Sequence, residues 1–204
     1  MVQVNAYASC VCPFPLGDSW QVIRDWGSFA WLPQLFGSRL NSALQSDGTA
    51  DDCVVRRTTF GKACVYERLL VLDDLQHLMR WQIITGKADS QNPFPASLVN
   101  YVTAIQLLPV SVGNQTYLAW SGDFLTEAYM AVQMKAVFEA MYRAGFQGLK
   151  QHLENKAWEA ASLQPCKYMQ PLAPFAAIPE PQEHDSGINL RSLYDAFSLQ
   201  PHNG

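Results

Sequence analysis

Residues 53–72 read CVVRRTTFGKACVYERLLVL, two runs rich in Val, Thr, Tyr and Cys on either side of Gly61-Lys62. β-Branched and aromatic side chains suit a pleated, half-buried surface. A glycine at the first of two central positions is what a two-residue type II′ hairpin requires. The stretch therefore predicts an antiparallel hairpin in which Phe60 faces Ala63, Thr58 faces Val65, Arg56 faces Glu67 and Val54 faces Leu69. Side chains alternate across a strand, so Val54, Arg56, Thr58, Phe60, Ala63, Val65, Glu67, Leu69 and Val71 share one face. That face is apolar apart from Thr58 and one directly opposed Arg–Glu pair. The other face carries Arg57, Thr59, Tyr66 and Arg68 and is expected to be the wetter one.

A charge pair inside an apolar face needs a physical reason. Removing both charges from water is costly unless close geometry and further hydrogen bonds offset the loss. Two readings stand side by side. The pair is either a structural lock, or the polar centre of a cavity in which a carboxylate moves protons and a guanidinium holds an oxyanion.

The rest of the composition narrows the setting. With 49% hydrophobic and 16% charged residues over 204 positions, the chain is able to bury one sizeable core. A net charge of −4 without any Lys/Arg cluster argues against nucleic acid as a partner. No apolar run is long enough to span a bilayer, and the first residues lack the basic start and apolar run of a signal peptide. Five Cys without CxxC spacing fit a reducing compartment, so a cytoplasmic protein is expected. The four His are scattered with no HxxxH or HExxH spacing, and no glycine-rich phosphate loop is present. Neither a metal nor a cofactor is expected.

Taken in order, Val2–Cys12 alternates as a half-buried strand, and a short helix follows from about Leu16 to Arg24. Ser28 is placed to cap a brief turn that stops before Pro33. Residues 35–45 suggest one further strand. After the hairpin, strands are predicted at 77–85, with Met79, Trp81 and Ile83 inward, and at 98–108, with Tyr101, Thr103, Ile105 and Leu107 inward. Another is predicted at 116–124, with Leu118, Trp120, Gly122 and Phe124 inward. The segment 87–97, with two Pro and little periodicity, reads as a long binding loop with Phe94 at its tip. From Thr126, a candidate cap, to Ala160 the pattern is helical. Met130, Met134, Val137, Phe138, Met141, Gly145, Leu149 and Leu153 recur at three- or four-residue steps. His152 is expected to be a surface residue near the end of that helix. Residues 161–204 form a Pro-rich extension with a possible short amphipathic helix at 188–198.

The order of strand, short helices, about six more strands and one long helix suggests an α+β fold. In it a curved antiparallel sheet of about seven strands wraps a C-terminal helix around an internal apolar cavity. Residues 20–31 (WQVIRDWGSFAW), Val54-Val55-Arg56, 67–74 (ERLLVLDD), Tyr101-Val102-Thr103 and 120–124 (WSGDF) occur in the order and spacing of one group. Over 1–160 the chain resembles the Bet v 1-like, START or polyketide cyclase/dehydrase (SRPBCC) superfamily, whose fold is the helix grip. Within it the chain looks most like small cyclase-like proteins and plant lachrymatory-factor synthase. That resemblance implies an Arg after two apolar residues, a Glu before a basic-Leu-Leu run and a Tyr opening the strand after the long loop. These match Arg56, Glu67 and Tyr101 as catalytic residues, the inward polar positions that alternation had singled out.

The resulting expectation is a cofactor-independent lyase or isomerase moving a proton on a small or medium apolar or amphipathic molecule, in a monomer or homodimer. Thr58, Phe60, Leu69, Trp81, Phe94, Trp120, Met134, Phe138 and Met141 would shape the pocket. The competing expectation is a non-catalytic carrier or sensor of such a ligand, in which the Arg56–Glu67 pair anchors the ligand's polar end.

Overall fold

The computed structural model describes residues 1–32, 34–35, 38–46, 54–84, 94–95 and 97–162. The elements run β1 (Val2–Cys12), α1 (Leu16–Ile23), β2 (Gln34–Leu35), β3 (Ser38–Ser46), β4 (Val54–Phe60) and β5 (Ala63–Asp73). They continue with β6 (Leu78–Ile84), β7 (Val99–Val110), β8 (Gln115–Thr126), a 3₁₀ turn (Ala128–Met130) and α2 (Ala131–Ser162). One eight-stranded sheet in the order β1-β8-β7-β6-β5-β4-β3-β2, antiparallel at every pairing, carries α2 on its inner side. The eighth strand is a refinement of the sequence reading. The two-residue β2 pairs antiparallel with β3, Gln34 with Arg39 and Leu35 with Ser38, where alternation alone indicated a single strand over 35–45.

The hairpin that organises the sheet has the register expected of it. Phe60 pairs with Ala63, Thr58 with Val65 and Arg56 with Glu67. Gly61 sits at φ +58° and Lys62 is not among the positive-φ residues, which is the type II′ signature. Two features depart from simple alternation. A bulge between Leu69 and Val71 turns the end of β5, so Val71 is exposed rather than inward, and Val54 at the start of β4 is exposed too. The outer face is also not uniformly wet. Val55, Cys64 and Tyr66 are buried there as a second small cluster with Ile84. Its apolar and aromatic side chains outweigh the neighbouring Arg57 and Arg68 in deciding what that patch does.

The helix supplies the other wall of the core. Met134, Val137, Phe138, Met141, Phe146, Leu149 and Leu153 are buried along its inner face, as the helical spacing predicts. Gly145 and Gly148 make close approach possible. A Cβ at Gly145 would lie 2.6 Å from the Trp120 ring, and one at Gly148 would strike the Trp31 carbonyl. Thr126 does not cap the helix. It ends β8 fully buried, its hydroxyl directed at Met134 Sδ, and Glu127 opens the 3₁₀ turn without a side-chain cap. His152 is half-buried in mid-helix rather than solvated near its end, because α2 runs ten residues further, to Ser162. The expected helix at 188–198 and the extension from 163 lie outside the described residues.

Candidate functional site

Strand pairing places the charges. Arg56 on β4 and Glu67 on β5 are direct cross-strand partners, and Arg56 Nε donates to Glu67 Oε2 at 2.9 Å. Thr58, one inward position along β4, donates its hydroxyl to the same oxygen at 2.7 Å. Trp81 on β6 reaches the other oxygen, Nε1 to Oε1 at 3.0 Å. Both charged residues are buried, Arg56 to 2% exposure and Glu67 to 8%. The turn after α1 completes the cage. Trp26 and Phe29 present their rings to the guanidinium at 3.7 and 4.0 Å from ring centroid to Cζ, and the Trp26 carbonyl accepts from Nη1 at 3.1 Å. A desolvated cation over aromatic faces gains about 2 kcal/mol, which offsets part of the burial cost. Ser28 helps to set this turn, its hydroxyl accepting the Ala30 amide at 3.1 Å.

Counting donors and acceptors shows what remains available. Among the described residues Arg56 Nη2 makes no hydrogen bond, and Glu67 Oε1 receives a single donor and keeps a free lone pair. Both residues line a partly open cavity between the sheet and the helix. Its walls are Trp31, Trp81, Trp120, Met79, Met141 and Phe94, with Tyr101 and Thr103 as further polar groups. Among the described residues Arg56 and Glu67 are the charged members of that lining, and their charges balance. Burial pushes the Arg56 guanidinium below its ordinary value, while the Glu67 charge and hydrogen bond hold it up. Two broader surface grooves, of about 300 and 270 Å³, flank α2 and carry no buried charge.

Tyr101 belongs to a second network. Its ring lines the cavity, but its hydroxyl meets that of Tyr142 on α2 at 2.6 Å, in a bond where either oxygen serves as donor. Burial first, then the neighbouring Tyr142, holds the Tyr101 phenol well above its usual value, and burial likewise raises Tyr142. Both stay protonated at neutral pH. The pair is locked by stacking, Phe138 on Tyr101 at 4.5 Å and Trp120 on Tyr142 at 4.7 Å. Gly122 makes room for it, since a Cβ there would strike the Tyr142 hydroxyl and lie 2.7 Å from the Tyr101 ring. Beside the pair, Trp120 Nε1 donates to Thr103 Oγ1 at 2.8 Å, and that hydroxyl donates to the Ser121 carbonyl at 2.7 Å.

Of the residues expected from sequence, Arg56, Glu67, Tyr101, Thr58, Trp81, Phe94, Trp120 and Met141 line one cavity. Leu69, Met134 and Phe138 are not on the lining. Leu69 lies where the β5 bulge turns the strand, Met134 packs under Thr126, and Phe138 stands behind the Tyr101 ring that stacks on it. Phe60 holds its place in the ladder, and its side chain lies outside the described residues, as does most of the loop expected at 87–97. Sequence reasoning missed Tyr142, and it did not connect Trp26 and Phe29 with Arg56. Among the described residues no group of three or more His, Cys, Asp or Glu is placed to hold a metal, and no helix is long and apolar enough to cross a membrane.

An antiparallel sheet gripping a long C-terminal helix over a lined interior cavity defines a helix-grip protein of the ligand-binding or cyclase-like class. The chain belongs to the family described as polyketide cyclase/dehydrase and lipid transport, whose model matches residues 4–154. Among solved structures it is similar to the protein XoxI from Bacillus cereus, with 23% identity and a TM-score of 0.58 over 72% of this chain and 94% of that one. It is also similar to norcoclaurine synthase from Thalictrum flavum in complex with dopamine and hydroxybenzaldehyde. There the identity is 15% and the TM-score 0.57, over 76% of this chain and 88% of that one. A Thermobifida fusca protein matches with 18% identity and a TM-score of 0.57 over 72% and 90%. At these identities the likeness is one of fold. No curated protein matches the chain in sequence.

Proposed function

We propose that this chain is a cofactor-independent lyase or isomerase, cyclase- or dehydratase-like, that moves a proton on a small molecule held in the interior cavity. The observation that carries this reading is the pairing of unspent donors on Arg56, both N–H groups of Nη2 and the second of Nη1, with an unspent acceptor lone pair on Glu67 Oε1, both residues lining the same cavity. Glu67 takes a proton from carbon beside a polarised oxygen of the substrate, and the oxygen becomes an oxyanion. Glu67 is then neutral, so Arg56 loses its resident counter-charge and gains the oxyanion as its new one. Total charge in the cavity does not change during the transfer. Glu67 returns the proton to a different atom, or to a leaving group, and the original ion pair re-forms. Tyr101, when its bond to Tyr142 is accepted rather than donated, has its own proton free to support the developing charge.

Glu67→Gln tests the assignment. The amide preserves shape and can still accept from Trp81, but it takes no proton, so turnover is expected to fall by at least about 100-fold while folding persists. A variant with full turnover would remove Glu67 from the chemistry. A carrier reading has one observation of its own in its favour. Glu67 already takes three donors, which suits a fixed anchor for Arg56. Retention of a ligand, unconverted, by both wild type and variant would select it.

A further inference from the structure

Two phenols joined by one hydrogen bond carry two protons, so one of them must find an acceptor outside the pair. The members of the Tyr101–Tyr142 pair are not equivalent in this respect. Tyr142 is fully buried on α2, and among the described residues its hydroxyl is bonded to the Tyr101 hydroxyl at 2.6 Å. Tyr101 lines the cavity, and Tyr142 stands behind it, off the lining. If Tyr101 donated, the Tyr142 proton would be left in a dry site beside the Trp120 ring, at the full desolvation cost of an unpaired donor. If Tyr142 donates, its proton is paired, and the one left over belongs to the residue that borders the cavity. Thr103 is the competing acceptor. Its own proton goes to the Ser121 carbonyl and it accepts from Trp120 Nε1, which leaves one lone pair near both phenols. The Tyr142 hydroxyl is bonded to Tyr101 rather than to it.

We infer that Tyr142 is a positioning residue: by donating to Tyr101 from behind the cavity wall, it makes Tyr101 offer its own proton to the substrate oxygen. This deepens the proposed function, on which it rests, by adding a second donor beside Arg56 whose direction is built into the fold. The donated bond also polarises the Tyr101 hydroxyl and strengthens the bond that Tyr101 gives in turn. Phe138 stacked on Tyr101 and Trp120 stacked on Tyr142 hold the two rings, and the missing side chain at Gly122 leaves room for their oxygens. Tyr142 itself touches no substrate and acts through Tyr101.

The first measurement needs no substrate. The full chain is prepared with tyrosine carrying ¹³C at Cζ, and the signals of residues 101 and 142 are assigned with Tyr101→Phe and Tyr142→Phe. In an equal mixture of H₂O and D₂O a slowly exchanging hydroxyl splits its Cζ signal, and a rapidly exchanging one gives a single averaged line. The Tyr142 hydroxyl is expected to exchange more slowly than that of Tyr101, by about ten-fold or more. A Tyr101 hydroxyl that exchanges no faster than that of Tyr142 would overturn the inference, because the chain of donors would then run toward Thr103. The second measurement separates positioning from packing. Tyr142→Phe keeps a ring against Trp120 and is expected to slow deuterium incorporation into a panel of small ketones about ten-fold. In a chain already carrying Tyr101→Phe, the same change should have little further effect. Equal slowing in both backgrounds would reduce Tyr142 to a structural role and overturn the inference. Absence of incorporation by wild type would count against the proposed chemistry, and hydroxyl exchange would still judge Tyr142 by itself.

Discussion

Replacing Arg56 with Met strips the cation from a pair whose members are 2% and 8% exposed. Exposed ion pairs contribute about 0–1 kcal/mol, but breaking a buried one by removing a single partner costs about 3–5 kcal/mol, because the remaining charge is left uncompensated. The surroundings place this case near the lower end. Glu67 keeps the Thr58 hydroxyl at 2.7 Å and the Trp81 indole at 3.0 Å, and Met refills much of the space between Trp26 and Phe29. The expected loss is about 3 kcal/mol, or a fall in Tm of roughly 6–12 °C for a domain of this size. Urea unfolding followed by tryptophan fluorescence measures it. Arg56→Met with Glu67→Leu removes both charges and should recover at least about 1 kcal/mol of that loss, since a buried pair replaced by apolar residues is often neutral or better. A single variant costing under about 1 kcal/mol would refute the reasoning, and so would a double variant less stable than the single one. Either outcome would mean that water reaches the pair.

Further perturbations probe the walls and the titrating groups. Gly122→Ala should cost about 1–3 kcal/mol by overpacking. Adding Tyr142→Phe should relieve part of that cost, so the two changes will be non-additive in chemical denaturation. Thr58→Val removes a hydrogen bond to a carboxylate and should cost about 1.5–3 kcal/mol, with Glu67 less firmly placed. Tyr101 and Tyr142 are raised in the folded state, so the unfolded chain releases their protons first. The stability they contribute is complete below about pH 10 and is lost as pH rises beyond it. Phenolate absorbance from both rings should therefore appear only together with alkaline unfolding, and Tyr101→Phe should shrink that step. His152 is lowered, chiefly by burial and then by Lys156, so the unfolded chain takes up its proton first. Stability from this residue is present above about pH 6.5 and declines as pH falls below it, and His152→Gln should flatten that part of the pH–stability curve.

Much of this arrangement was legible because a strand has a period of two. Once Gly61 fixed the turn, alternation placed Arg56 opposite Glu67 and put Thr58, Trp81, Tyr101 and Trp120 on the same side. The cavity followed from the order of elements. Other features were hidden for identifiable reasons. The β5 bulge leaves no mark in an alternating pattern, so Val71 was assigned to the wrong face. Tyr142 lay within a helix whose apolar stripe was visible, but its partnership with Tyr101 depends on a glycine twenty residues away on β8. Trp26 and Phe29 come from an aperiodic turn, where no repeat indicates which way a ring points. The burial of Tyr66 on the outer face arises from tertiary packing that outweighs a strand's polar neighbours.

The most direct test of the Arg56–Glu67 chemistry is a single comparison in deuterated water. Wild type and Glu67→Gln are each incubated with a panel of small ketones, and solvent deuterium in the recovered compounds is read by mass spectrometry. The account predicts deuterium beside the carbonyl with wild type and at least about 100-fold slower incorporation with the variant, at similar binding. Equal incorporation by the two proteins, or none by wild type despite occupancy of the cavity, would contradict it.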